Sequence, residues 1–329
     1  LARDRLEIAL QMEADRMASA TLPADEFVKE IEVIKEERRL RTEDNPSALA
    51  YERFKALAYL SSGYRNPVIG WMHDLERMTI EDLRQWYQQW YSPNNATLVI
   101  VGDVQLNEVK PLVERYFGPI PARPVPDAKK PLELAEPGER RAELYLKTEL
   151  PSLTIGFNVP SLQTADNPKD VYALRLISAI LDGGESSRFS SELVRQQESV
   201  VQAGAFYNAF ARGDSLFVIA AVPNTQKNIS LPQLEKTLWQ QLKTLQTQPP
   251  TQAELDRLRA QVISFEVYGQ DSIANQANQI GALESVGLSW QLIDKDIEQL
   301  QQITPADIQA AAQTYFTLPR SVTLYRLPE

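Results

Sequence analysis

The sequence predicts an α+β protein made of two similar α/β units, the first of them incomplete, and three observations carry that reading. The first is an internal repeat. Met78-Thr79-Ile80-Glu81-Asp82-Leu83, Trp90-Tyr91 and Ala96-Thr97-Leu98-Val99 recur as Ile303-Thr304-Pro305-Ala306-Asp307-Ile308, Tyr315-Phe316 and Ser321-Val322-Thr323-Leu324, an offset of 225 residues (304 minus 79). A second anchor, Glu26-Phe27 against Glu254-Leu255, gives 228 (254 minus 26). The second observation is the polar stretch 119–141, which holds six prolines and reads as a linker between a unit at 1–118 and a unit at 142–329. The third is a projection: the second copy opens near residue 142, and subtracting 225 lands roughly 80 residues ahead of Leu1. The first copy is therefore expected to lack its opening strands and first helix.

Each element has a local reason. Leu6, Ala9, Leu10, Ala14 and Met17 fall on one helical face, so the chain opens inside an amphipathic helix, as a fragment does. A long helical pattern over 24–42 closes at Asn45-Pro46, and another helix runs from Ser47 towards Leu60. Residues 61–69, with Gly63 and Pro67, read as loop. Thr79 caps a helix running to Tyr91, with Asp82 as a short-armed capping box. Trp86-Tyr87 and Trp90-Tyr91, four apart on that helix, read as core packing. Ser92-Pro93-Asn94-Asn95 turns the chain into a predicted strand over 96–101. In the second unit, strands are expected at 142–147, 153–159, 200–210, 216–221 and 321–326. A helix over 169–181 ends at Gly183-Gly184, and helices fill most of 231–316.

Composition narrows the function. At 329 residues the chain suits two domains of roughly 150 residues each. Its 34 basic and 44 acidic residues leave a net charge of −10, which repels nucleic acid and anionic membranes. No run of about 18 apolar residues is present to span a bilayer. With no cysteine, any metal site must use His, Asp or Glu. Histidine occurs once, at His73 in the Trp71-Met72-His73-Asp74 turn, where it reads as a loop residue.

The segment richest in chemistry is Glu30-Ile31-Glu32-Val33-Ile34-Lys35-Glu36-Glu37-Arg38-Arg39. Glu30 and Glu37 stand seven apart, two helical turns, so both carboxylates share one face with Ile34 between them. Two acids on a partly apolar face can ligate a metal or hold a proton. The competing reading is a solvated helix laced with ion pairs, and spacing alone favours it.

Leu22-Pro23-Ala24-Asp25-Glu26-Phe27 followed by Glu30 through Glu37, together with Pro67-Val68-Ile69-Gly70-Trp71, Ser92-Pro93-Asn94-Asn95-Ala96 and Val101-Gly102-Asp103, resembles the insulinase and pitrilysin family of zinc metallopeptidases, in the form of the bacterial processing peptidases. The resemblance runs through most of residues 5–118 and more loosely through the second copy. It implies an insulinase-type fold and a zinc endopeptidase acting on peptides or unfolded segments by metal-activated water, in the periplasm or cytoplasm of a bacterium, with the periplasm favoured. In that family a helix bearing His-x-x-Glu-His supplies two zinc ligands and the general base, and a downstream Glu completes the site. Matched residue by residue, Glu37 falls on the ligand and Glu30 on the second acid. The His-x-x-Glu-His motif itself is absent, so this chain alone is expected not to hydrolyse peptides, and zinc is expected only in the intact protein.

At the 228 offset Glu30 maps to Leu258 and Glu37 to Phe265, so the acidic pair belongs to the first copy alone. Family members often carry an Arg and a Tyr seven apart in the other half to grip substrate. Arg195 occupies the Arg place, whereas Gln202 stands where the Tyr is due; Tyr207 is the nearest replacement. The resemblance thus implies a peptide substrate and a homologous partner subunit that supplies an Arg-Tyr pair. The alternative is a non-catalytic subunit or scaffold of the same fold.

Overall fold

The computed structural model describes residues 2–329, which divide into two compact units. One comprises residues 2–40, Val68–Lys129 and Gln270–Ser285; the other comprises Arg41–Pro67, Lys130–Gly269 and Val286–Glu329. The Lys129/Lys130 boundary falls inside the Pro-rich stretch. The units nevertheless depart from the sequence halves 1–118 and 142–329, because residues 41–67 pack with the second and 270–285 with the first.

The second unit is built on a five-stranded sheet of order β1-β5-β2-β4-β3, with β1 (Arg140–Leu146) parallel to β5 (Ser321–Pro328). The other pairings, through β2 (Ser152–Val159), β4 (Ser215–Pro223) and β3 (Val200–Tyr207), are antiparallel. One face carries the main core, because three helices turn wholly apolar stripes to it. In α7 (Pro168–Asp182) the stripe includes Leu174, Ile177 and Leu181, and in α8 (Leu231–Thr247) it is Leu234, Leu238, Leu242 and Leu245. The third is α12 (Pro305–Tyr315), through Ile308, Ala311 and Ala312.

The opposite face is covered by α3 (Pro46–Ala58), whose Ala50, Phe54 and Ala58 lie four apart on one side. Phe54 is 0% exposed and sits in the slot left by Gly156, where a Cβ would stand 2.5 Å from the ring. The last carbonyls of α3 are satisfied by the sheet: Arg140 Nη1 donates to Ala58 O at 2.6 Å and Asn158 Nδ2 donates to the same oxygen at 3.1 Å. Asn45 caps the other end, its side chain accepting from Ser47 and Ala48. Two long helices, α9 (Gln252–Gly269) and α11 (Leu292–Gln302), are clipped to α7 by Arg175, which meets Asp296 at 2.6 Å and Glu266 at 3.0 Å.

The first unit is helical: α1 (Leu6–Ser19), α2 (Ala24–Arg38), α4 (Met72–Leu75), α5 (Ile80–Trp90), α6 (Leu106–Phe117) and α10 (Ile273–Ser285). Polar ties hold it. Tyr87 donates to Met17 O at 2.7 Å, Arg115 pairs with Glu7 at 3.0 Å, and Arg84 donates to Leu22 O at 2.9 Å. The predicted capping box at Thr79 and Asp82 is present, and Thr304 and Asp307 repeat it on α12 with the same 2.8 Å and 2.7 Å bonds. The strand expected over 96–101 does not form: none of these residues enters a ladder among the described residues. Trp86, expected in a core, is 54% exposed, with its ring edge-on to Tyr91.

Candidate functional site

The acidic helix α2 is positioned from both ends. Its N-terminal turn carries Asp25 and Glu26, which suit the positive end of the helix. At the C-terminal end the buried Arg38 donates to Gly70 O at 2.9 Å and lies 6.0 Å from the Trp71 ring. Gly70 adopts φ +86°, a left-handed conformation that favours glycine. The Pro67-to-Trp71 segment is therefore the anchor for the turn of α2 that carries Glu37. Sequence reasoning missed Arg38; the signal was an arginine directly after the candidate ligand and on the inward side of the helix.

Glu32 and Glu36 are engaged along the helix, with Lys35 at 2.7 Å and Arg39 at 3.0 Å, and Glu26 meets Lys29 at 2.7 Å. These three-apart pairs are the solvated side of α2. Glu30 is exposed and Glu37 half-buried, separated by roughly 10 Å along the axis at the helical rise and by nearly whole turns in angle. Ile31 packs inward below them and Ile34 is half-buried between them. At the repeat-equivalent places on α9, Leu258 is buried in the core and Phe265 is 81% exposed, so no acid pair exists there.

Among the described residues no group of three or more His, Asp or Glu is placed to hold a metal ion. Glu37 offers one carboxylate, and His73 is exposed on α4 beside Asp74 at 3.4 Å. The residues present do not by themselves make a zinc site.

Arg195 lies in a π-helical turn, Phe189–Gln196, with its guanidinium half-exposed and paired to Glu185 at 3.0 Å. Gln202 is exposed on the edge strand β3. Tyr207 cannot replace the missing tyrosine: it is buried, its hydroxyl donates to Pro160 O, and burial pushes its phenol pKa up. Nearby, α7 ties down the β3 edge. Ser178 donates to Ala205 O at 2.9 Å, and the Asp182 carboxylate, whose pKa burial raises, accepts from Ala205 N at 3.2 Å. The helix then ends at Gly183-Gly184, with Gly184 at φ +102°.

A fold of this kind with an acidic helix tied to a Pro-x-x-Gly-Trp loop defines the class, and comparison with known proteins makes it specific. A family model described as "Peptidase M16 inactive domain" matches residues 77–262. The zinc protease PqqE of Helicobacter pylori is 30% identical over 98% of this chain and 72% of its own length. An uncharacterized zinc protease, YmxG of Bacillus subtilis, is 23% identical over 94% of the chain and 72% of its length. The crystal structure of a protease from Helicobacter pylori superposes with a TM-score of 0.91 at 28% identity, covering 99% of this chain and 77% of that one. The chain belongs to the M16 peptidase family, the insulinase and pitrilysin family its motifs resemble.

Proposed function

We propose that this chain is a portion of a zinc-dependent metalloendopeptidase that hydrolyses peptides or unfolded segments. The observation that carries the reading is the placement of Glu30 and Glu37 on one face of α2, with the turn holding Glu37 fixed by Arg38 and Gly70, in a member of the M16 family. Glu37 supplies one carboxylate ligand and Glu30 tunes the metal without ligating it. The histidine ligands come from a His-x-x-Glu-His helix outside these residues, and Arg195 contacts substrate. The relative from Helicobacter pylori, named a zinc protease, supports a zinc enzyme in the intact polypeptide. The unmatched Gln202 supports a homologous partner subunit that brings an Arg-Tyr pair. No helix among the described residues is long and apolar enough to cross a membrane; we place the protein in the bacterial periplasm ahead of the cytoplasm.

A second reading, a non-catalytic subunit or scaffold, is favoured by the description of the matching family model as an inactive domain. Elemental analysis and peptidase assay of the intact polypeptide separate the two. One zinc per chain, lost in Glu37→Ala, is the expected result. An intact polypeptide without His-x-x-Glu-His, or one that binds zinc equally with Glu37→Ala, overturns the enzyme reading.

A further inference from the structure

The Pro-rich stretch reads from composition as one flexible linker over 119–141, but side chains fasten it at two places. In the first unit Arg123 N donates to Ser92 Oγ and to Asn94 Oδ1, both at 3.1 Å, and Asn94 Nδ2 returns a bond to Arg123 O at 2.9 Å. Ser92 is 1% exposed, so this anchor is set into the fold. Residues 124–129, Pro-Val-Pro-Asp-Ala-Lys, take part in no hydrogen bond or ion pair among the described residues, and all but Val125 are exposed.

The second fastening lies within the second unit. Residues 131–134 sit in a seat made by the loop after α3 and the turn before β4. Pro131 packs on Gly213, where a Cβ would collide with Pro131 O and stand 2.6 Å from its Cγ. The buried Ser62 hydroxyl donates to Pro131 O and the Ser61 hydroxyl to Leu132 O, each at 3.1 Å. Glu133 is engaged at both ends. Its N–H donates to Asp214 Oδ2 at 2.8 Å, and its carboxylate accepts from the N–H groups of Ser61, Ser62 and Leu134 at 3.0, 3.1 and 2.8 Å. Desolvation pushes the Glu133 carboxyl up, but these donors prevail and hold it below the usual carboxylate range, so it stays an ionised and strong acceptor.

We infer that Glu133, seated beside Gly213, is a latch that sets the length of the working hinge in this stretch. Latched, the free chain is the six residues 124–129, with a reach of about 20 Å at roughly 3.3 Å per residue. Released, it runs on to Gly138, whose N–H donates to Pro319 O at 2.8 Å. The free chain is then the 14 residues 124–137, with a reach of about 46 Å. Glu133, Leu134 and Ala135 also form one wall of a cavity of about 390 Å³ that Asp170, Asp214 and Arg320 help to line, so release of the latch opens that cavity as it lengthens the hinge. Proline content does not separate the two halves of the stretch; the seat does.

Hydrogen–deuterium exchange on the full chain tests this independently of zinc or activity. Relative to their intrinsic rates, the amides of 132–134 are expected to exchange at least about 30-fold more slowly than those of 125–129. Glu133→Ala removes the acceptor and Gly213→Ala fills the seat; each should bring 132–134 to within about 3-fold of 125–129. A protease specific for glutamate should leave the Glu133–Leu134 bond whole in the parent chain and cut it in Gly213→Ala. Slow exchange over 153–159, read in the same samples, reports that a variant keeps its sheet, and if Gly213→Ala loses it, Glu133→Ala carries the test. Amides of 132–134 that exchange as fast as 125–129 in the parent chain, or slow exchange there that survives both substitutions, overturns the inference.

Discussion

Residues 79–101 and 304–326 have one local grammar and two outcomes. Each begins with a Thr-Asp capping box, continues through an 11-residue helix and a 3-10 turn, and enters an aliphatic run at the same spacing. In the second copy that run is the centre-left strand of a sheet; in the first it pairs with nothing described. The difference teaches that helix and turn are written in residues three or four apart, whereas a strand exists only where another backbone lies beside it.

The comparison can be broken most forcefully on the 13-residue helices α3 and α10, where Phe54 and Gly281 stand nine residues into each. Phe54→Ala empties a fully buried site and should lower stability by about 3–5 kcal/mol in denaturant unfolding. Gly281→Ala, at the equivalent helix position with room for a methyl, should raise it by up to about 1 kcal/mol. If both changes destabilise alike, the two helices are not equivalent. One step smaller is the strand pair. Leu324→Ala should lose about 2–5 kcal/mol, and Val99→Ala, half-buried and unpaired, should lose less than about 1 kcal/mol by the same measurement. At the candidate site, Arg38→Met leaves Gly70 O without its donor and should destabilise the first unit by about 1–3 kcal/mol.

The smallest effects come from the caps. Thr304→Ala should lower stability by about 1 kcal/mol, whereas Thr79→Ala should chiefly fray α5, seen as faster amide exchange in its first turn. The carboxylates report the same symmetry. The Thr79 hydroxyl and N–H hold Asp82 below the usual carboxylate range; at Asp307 partial burial pushes upward, but the Thr304 hydroxyl and N–H prevail and its pKa is also lowered. A carboxylate held low in the folded state adds stability that is present above its unfolded pKa and lost as pH falls through the folded value. Asp307→Asn should therefore flatten the acid limb of the stability curve, and NMR titration should find both aspartates low in the parent chain.

What could be read from sequence follows the same division. The five strands of the second unit lie within two residues of their expected starts, because alternation and turn residues are local signals. The capping box at Thr79 and Asp82 was legible in four residues, and the repeat carries the same residues to Thr304 and Asp307. The fate of 96–101 was not, since nothing within the run states whether a neighbour is at hand. Nor was the destination of α3: its apolar stripe announces a buried face without naming the sheet it covers. Of the site residues, Glu30 and Glu37 do share a helix face. Tyr207 failed as a substitute because the strand pattern cannot tell a core tyrosine from one held out to a ligand, and Trp86 was misread the other way, as helical spacing does not say which residues a neighbour covers.

The exchange of α3 and α10 between the units has a consequence for inheritance. A crossover in the Pro-rich stretch would send α3 away with the first half of the gene, although its Phe54 closes the second half's sheet. A second half spliced elsewhere would arrive with Gly156 uncovered and with Arg140 and Asn158 lacking the helix end they cap. The boundary most permissive to recombination by composition is thus among the least permissive by packing, and the two repeats are bound to evolve as a pair.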